Sequence, residues 1–155
     1  MTEINYWLMK SEPDAYSIQD LKNEVETLWD GIRNYQARNF MRSMKVGDQA
    51  FFYHSNTKPP GIVGLMEIIE TKLIDPYQFD KSSKYYDKKS DRESPRWDCV
   101  KTKYICEFTN MITLKELSET YTSEELTLVR KGNRLSIMPI KKNIAIALVK
   151  KLTEN

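Results

Sequence analysis

The chain has 155 residues, 24 basic and 22 acidic side chains, a net charge of +2, and a composition that is 40% hydrophobic and 30% charged. That length predicts one domain over residues 1–155, able to bury a core without disulfide or metal staples. The balance excludes a disordered or fibrous chain. No run of about 18 apolar residues is available to cross a membrane, and Lys10, Glu12 and Asp14 interrupt any N-terminal signal pattern, so no membrane partner is predicted.

Ile4–Met9 is aliphatic and aromatic and predicts a buried first strand ending at Lys10-Ser11-Glu12-Pro13, since Pro13 cannot donate to a ladder. Ser17-Ile18-Gln19-Asp20 predicts a capping box that opens a short helix through Asn23. Asn34 caps a second predicted helix through Met44, with Phe40, Met41 and Met44 as its apolar stripe. Val46-Gly47-Asp48 marks a turn, and the aromatic run Gln49–Ser55 a strand. After a loop over Asn56–Pro60, Gly61–Glu70 is a strong strand whose Gly61 and Gly64 point to close approach of another backbone or a ligand. Asp75–Arg96 is polar and predicts a long loop with one helical turn; Trp97–Thr109 is the next strand. Thr113-Leu114-Lys115-Glu116 and Ser123-Glu124-Glu125 open two helices, the second stopped by Gly132. Arg134–Met138 is a last short strand and Lys141–Leu152 a final helix. The order has no regular βαβ alternation, which predicts an α+β fold: a compact, partly closed mixed barrel with helices at its rim.

Cys99 and Cys106 lie seven apart in one strand-like run, on opposite faces of a strand, so they are not expected to bridge. Unpaired cysteines predict a reducing, cytoplasmic location. Charge is unevenly distributed. Arg33, Arg38, Arg42 and Lys45 fall between Gly31 and Gly47 with no acid among them, and Arg130 to Lys151 carries seven basic residues and no Asp or Glu. Two such segments on one face would form the electrostatic footprint of a nucleic-acid partner, with Arg33, Arg38, Arg42, Lys141 and Lys142 against the backbone. Lysines that merely solubilise a helix give the same pattern.

Leu28-Trp29-Asp30-Gly31-Ile32-Arg33-Asn34-Tyr35 places an aromatic ring before a Gly turn and among guanidinium and amide groups. A ring closing over a base fits that string, and so does a tryptophan packed at a corner. Catalytic signatures are sparse. His54 is the one histidine, without Cys or acidic neighbours at zinc spacing, and no nucleophile elbow or phosphate-cradling loop is present. No metal or cofactor and no enzyme activity are therefore expected, with a base-modifying or nucleic-acid-processing hydrolase and a protein-interaction module as the alternatives.

Taken together, Tyr6-Trp7-Leu8-Met9-Lys10-Ser11-Glu12-Pro13 and Trp29-Asp30-Gly31-Ile32-Arg33-Asn34-Tyr35-Gln36-Ala37 resemble the EVE domain family. So do Gly47-Asp48, Phe52-Tyr53-His54-Ser55, Gly61-Ile62-Val63-Gly64, Trp97 and Arg134-Leu135-Ser136-Ile137-Met138-Pro139, from about residue 5 to residue 150. The resemblance implies a PUA-like β-barrel flanked by helices, kin to YTH domains. It also implies a monomeric, non-catalytic reader that holds a methylated or hydroxymethylated base of DNA or RNA in an aromatic-lined pocket.

By the same resemblance Trp29 takes the place of the cage tryptophan, while Lys10, Ser11 and Glu12 meet the base edge at the end of the first strand. Asn34 and Tyr35 follow the cage turn, His54 and Ser55 close the third side, and Arg134 and Ser136 line the mouth. The second cage tryptophan of YTH domains has no counterpart: Asp75–Arg96 offers Tyr77, Phe79, Tyr85 and Tyr86, so the cage is incomplete or built differently. Trp29→Ala is predicted to remove a stacking contribution of about 1–3 kcal/mol and leave folding cooperative. Asn34→Ala is predicted to blunt discrimination between modified and plain bases.

Overall fold

The computed structural model describes residues 3–153. Strands β1 (Tyr6–Ser11), β2 (Glu26–Trp29), β3 (Gln49–His54), β4 (Gly61–Ile74), β5 (Asp98–Thr113) and β6 (Ile137–Ile140) form one sheet in the order β2-β5-β4-β3-β1-β6. β1 and β3 run parallel from Tyr6↔Gln49 to Ser11↔His54, and every other pair is antiparallel. Helices α1 (Ile18–Glu24) and α2 (Tyr35–Ser43) cover one face, and α3 (Leu114–Thr120) and α4 (Lys142–Thr153) the other.

Strand alternation divides the core in two. Met9, Ala50, Phe52 and Met66 face Leu21, Ala37 and Met41, whereas Leu8, Phe51, Leu65 and Met138 face Leu117, Ile144 and Leu148. Burial on both faces is why β1, β3 and β4 read as unbroken apolar runs. Register shifts along β4 and β5 mark bulges that bend the sheet. The bend brings the ends of β1 and β2 to a common cleft although three strands separate them. This is the expected α+β, PUA-like architecture.

Ser17 and Asp20 form the predicted capping box, and the Asn34 side chain caps α2 by accepting from Ala37 N–H at 3.0 Å. Gly64 is required by backbone approach: a Cβ there would meet the Cys106 carbonyl at 2.7 Å. Buried Asp48 ties the start of β1 to the turn before β3 by accepting from Trp7 Nε1 at 2.9 Å and Asn5 N at 3.0 Å.

Two expectations are corrected. Ser123 opens no α-helix: Thr122 and Glu125 cap a single turn, followed by a 3-10 turn over Thr127–Val129. Buried Leu126 and Leu128 are two apart, a spacing that one helix face cannot present. β2 lacks a turn signal because Val25 itself makes the reversal after α1, at φ 72, where a β-branched residue is rarely found. Arg134–Met138 shifts to β6, an edge strand that tolerates Pro139.

Candidate nucleic-acid base site

Pro13 keeps β1 short, so Lys10 and Ser11 are the last residues of an interior strand, between β3 and β6. The chain then turns back, with Ala15 and Tyr16 N–H donating to the Glu12 carbonyl at 2.9 and 2.8 Å. Across from this corner β2 ends at Trp29 and the chain turns through Asp30, Gly31 and Ile32. Between the two corners lies a cleft of about 610 Å³, lined further by Thr27, Leu28, Lys84, Tyr85 and Ser136. Its size suits a small-molecule or base site.

Trp29 forms the floor. Its ring meets Phe52 edge-on at 5.3 Å between centroids, and the residue is only 6% exposed. It is thus a core residue that also lines the cleft, so Trp29→Ala is expected to cost stability rather than leave folding untouched. Ser11 Oγ donates to the Tyr16 carbonyl at 2.6 Å, so toward the cleft it offers lone pairs.

The second wall comes from the long loop. Gly31 adopts φ 78, and Tyr85 lies against it so closely that a Cβ at Gly31 would sit 2.7 Å from Tyr85 Cζ. Fully buried Asp75 holds this arrangement: its carboxylate accepts from Gly31 N–H at 2.8 Å, Arg33 Nη1 at 2.9 Å and Tyr77 N–H at 2.8 Å. Arg33 Nε in turn donates to the Tyr85 carbonyl at 2.9 Å. Gln78 closes the loop's base by donating to the Asp75 and Trp97 carbonyls at 2.6 and 2.8 Å.

Of the residues expected in the site, Lys10, Ser11, Glu12, Trp29 and Ser136 come together. The others do not line the cleft. Asn34 is spent on the α2 cap, and Tyr35 stacks on Trp97 at 4.8 Å. His54 Nε2 accepts from Ile18 N–H at 3.1 Å, a neutral ring whose pKa burial lowers against the pull of Glu107. Ser55 N–H holds the Ser11 carbonyl at 3.0 Å, and Arg134 is exposed outside the cleft.

The predicted backbone-binding cations are mostly engaged within the protein. Arg33 pairs with Asp75, Arg38 donates to the Arg96 carbonyl and covers Tyr35, Arg42 grips Asp98 through two 2.9 Å bonds, and Lys142 pairs with Glu3. Lys141 is exposed at the start of α4. The partner acids are distant in sequence, so a local charge count could not anticipate them. Asp75, Lys84 and the placement of Tyr85 were missed for the same reason, whereas Asp30 stands in the Trp29 motif and was assigned no place in the site.

Asn34→Ala is expected to lower stability by about 1 kcal/mol through loss of the cap, with base discrimination unchanged. Urea unfolding together with oligonucleotide titration checks this.

Residues 5–151 match the family described as the EVE domain. Thymocyte nuclear protein 1 of Mus musculus is 43% identical over 154 residues, covering 88% of this chain and 68% of the relative. The crystal structure of human THYN1 protein in complex with 5-methylcytosine containing DNA superposes with a TM-score of 0.89 at 37% identity, covering 97% of this chain and 99% of that one. The Pho92 YTH domain in complex with m6A, at 14% identity and a TM-score of 0.54 over 100% of this chain and 87% of that one, shares the fold. The expected cytoplasmic location is overturned by relatives named as nuclear proteins. With nearly its whole length matched and relatives at this identity, the chain belongs to the EVE domain family.

Proposed function

We propose that this chain is a monomeric, non-catalytic reader that takes a methylated or hydroxymethylated base of DNA or RNA into the cleft between Ser11 and Tyr85. The observation that carries this is the cleft itself: an open space of about 610 Å³ lined by Trp29 and Tyr85 and by the polar side chains of Lys10, Ser11, Glu12 and Asp30. The complex of the human relative with 5-methylcytosine DNA supports the choice of ligand class. Two groups that a hydrolase would need are unsuited: His54 is held by Ile18, and burial with the nearby Asp75 and Asp30 carboxylates pushes the Cys99 thiol up to about 12.

Stacking on one ring contributes about 1–3 kcal/mol per base, while extracting a base from a duplex costs about a few kcal/mol. Unpaired or single-stranded targets are therefore favoured. With Arg33, Arg38 and Arg42 committed internally, few phosphates are contacted, and affinity falls only gently with salt.

The test is fluorescence anisotropy with single-stranded oligonucleotides carrying 5-methylcytosine, 5-hydroxymethylcytosine, N6-methyladenine or no modification. One modified base is expected to bind more tightly than its plain counterpart. Tyr85→Ala is expected to weaken that binding by about 1–3 kcal/mol, leaving the Trp29 core packed. Equal affinity for modified and plain oligonucleotides would overturn the proposal.

A further inference from the structure

Four charged side chains line the cleft, and none of them forms an ion pair among the described residues; Glu12 and Lys84 are exposed to solvent, whereas Lys10 and Asp30 are half-buried. Lys10 enters from β1, half-buried, with Nζ 5.7 Å from the Tyr53 ring centroid, and forms no ion pair with a carboxylate among the described residues. Asp30 enters from the turn after β2, also half-buried. Its neighbour Arg33 is taken by Asp75, and the hydrogen bond that its carboxylate accepts is from its own backbone N–H. Burial lowers the Lys10 pKa; burial, reinforced by the Asp75 charge, raises that of Asp30. Half-buried charges without partners are costly to the protein alone, which is a mark of a site completed by a ligand.

The chemistry of the three groups selects the ligand edge. Asp30 carboxylate and Ser11 Oγ, whose hydrogen is directed at Tyr16, are acceptors, while the Lys10 ammonium is a donor. A 4-aminopyrimidine carries an amine with two hydrogens at one end of its edge and the O2 carbonyl at the other. A 4-oxopyrimidine would turn a carbonyl toward the two acceptors.

We propose that Asp30 and Lys10 read this edge, Asp30 accepting from the exocyclic amine and Lys10 donating to O2, so that the cleft takes cytosine-type bases and refuses thymine. The proposal rests on the base-reader function above and adds its specificity-determining residue. 5-Methylcytosine and thymine share ring and methyl group and differ at position 4 and in the N3 hydrogen, so the pair isolates the edge from the methyl.

The experiment measures affinity for single-stranded oligonucleotides with 5-methylcytosine, cytosine or thymine at one central position, for the unmodified protein and for Asp30→Ala, Asp30→Asn and Lys10→Gln. The unmodified protein is expected to favour 5-methylcytosine over thymine by about 10- to 100-fold. Asp30→Ala should bring that ratio toward one while the preference for 5-methylcytosine over cytosine persists. Asp30→Asn, which keeps one acceptor without the charge, should fall between. Lys10→Gln should weaken 5-methylcytosine and thymine alike, since both carry O2. Melting temperatures of the Asp30 variants are expected to be no lower than that of the unmodified protein.

An unchanged ratio in Asp30→Ala, or a melting loss in Asp30→Asn with discrimination retained, overturns the role of Asp30 and leaves the reader function standing. Absence of any preference among 5-methylcytosine, cytosine and thymine in the unmodified protein overturns the edge reading, and the reader function falls with it only if 5-hydroxymethylcytosine and N6-methyladenine also bind no more tightly than their plain counterparts.

Discussion

Trp29→Ala is expected to lower the free energy of unfolding by about 3–5 kcal/mol, the cost of emptying a buried aromatic site. Trp29 lies against Phe52 with 6% of its surface exposed, between β2 and the face that carries Ile18 and Leu21. Total stabilities of small domains are about 5–15 kcal/mol, so this variant is marginal and its binding must be measured at low temperature, where it is folded. Trp29→Phe retains most of the buried volume and should stay folded, losing stacking surface only at the cleft floor. Urea denaturation with the slope compared between variants checks the stability, and a loss below about 1 kcal/mol for the Ala variant would show that the ring is not core.

Asp75→Ala is expected to be as damaging, by about 3–5 kcal/mol, because it strands the Arg33 guanidinium together with the Gly31 and Tyr77 N–H groups. Asp75→Asn does not rescue it: the amide supplies one acceptor but turns its NH2 toward other donors. The effect on binding is separate from stability. Asp75 fixes Gly31, and Arg33 fixes Tyr85, so the second wall of the cleft loses its anchor. Hydrogen exchange should show lost protection between residues 75 and 97 while β1 and β3 stay protected. Protection retained in that loop would mean that Tyr85 is held by other contacts.

Much of the fold is legible in the sequence because its signals are local. The Ser17 and Thr113 capping boxes, the Asn34 cap and the apolar runs of β1, β3 and β4 each lie within a few residues. β2 is missed because its turn is made by a strained valine, and the Ser123 segment because capping chemistry can close one turn without starting a helix. At the site, Lys10, Ser11 and Trp29 are legible as motif residues. Asn34, His54 and Arg33 sit in the same motifs but serve the scaffold. What separates the two groups is which partner claims each side chain: Ala37 N–H, three residues on, for Asn34, and the distant Ile18 N–H and Asp75 for His54 and Arg33. Tyr85 is the converse case, an unremarkable residue in a polar loop until Asp75 and Arg33 carry it to Gly31.

The most direct test of the base site is a crystal structure of this protein with a short single-stranded oligonucleotide containing one 5-methylcytosine. The expected result is the base lodged among Ser11, Trp29, Asp30 and Tyr85, with Asn34 still capping α2 and Arg42 still on Asp98. A base bound elsewhere, for example in the shallow pocket beside Trp7 and Pro139, with the Ser11 to Tyr85 cleft unchanged, would contradict the account.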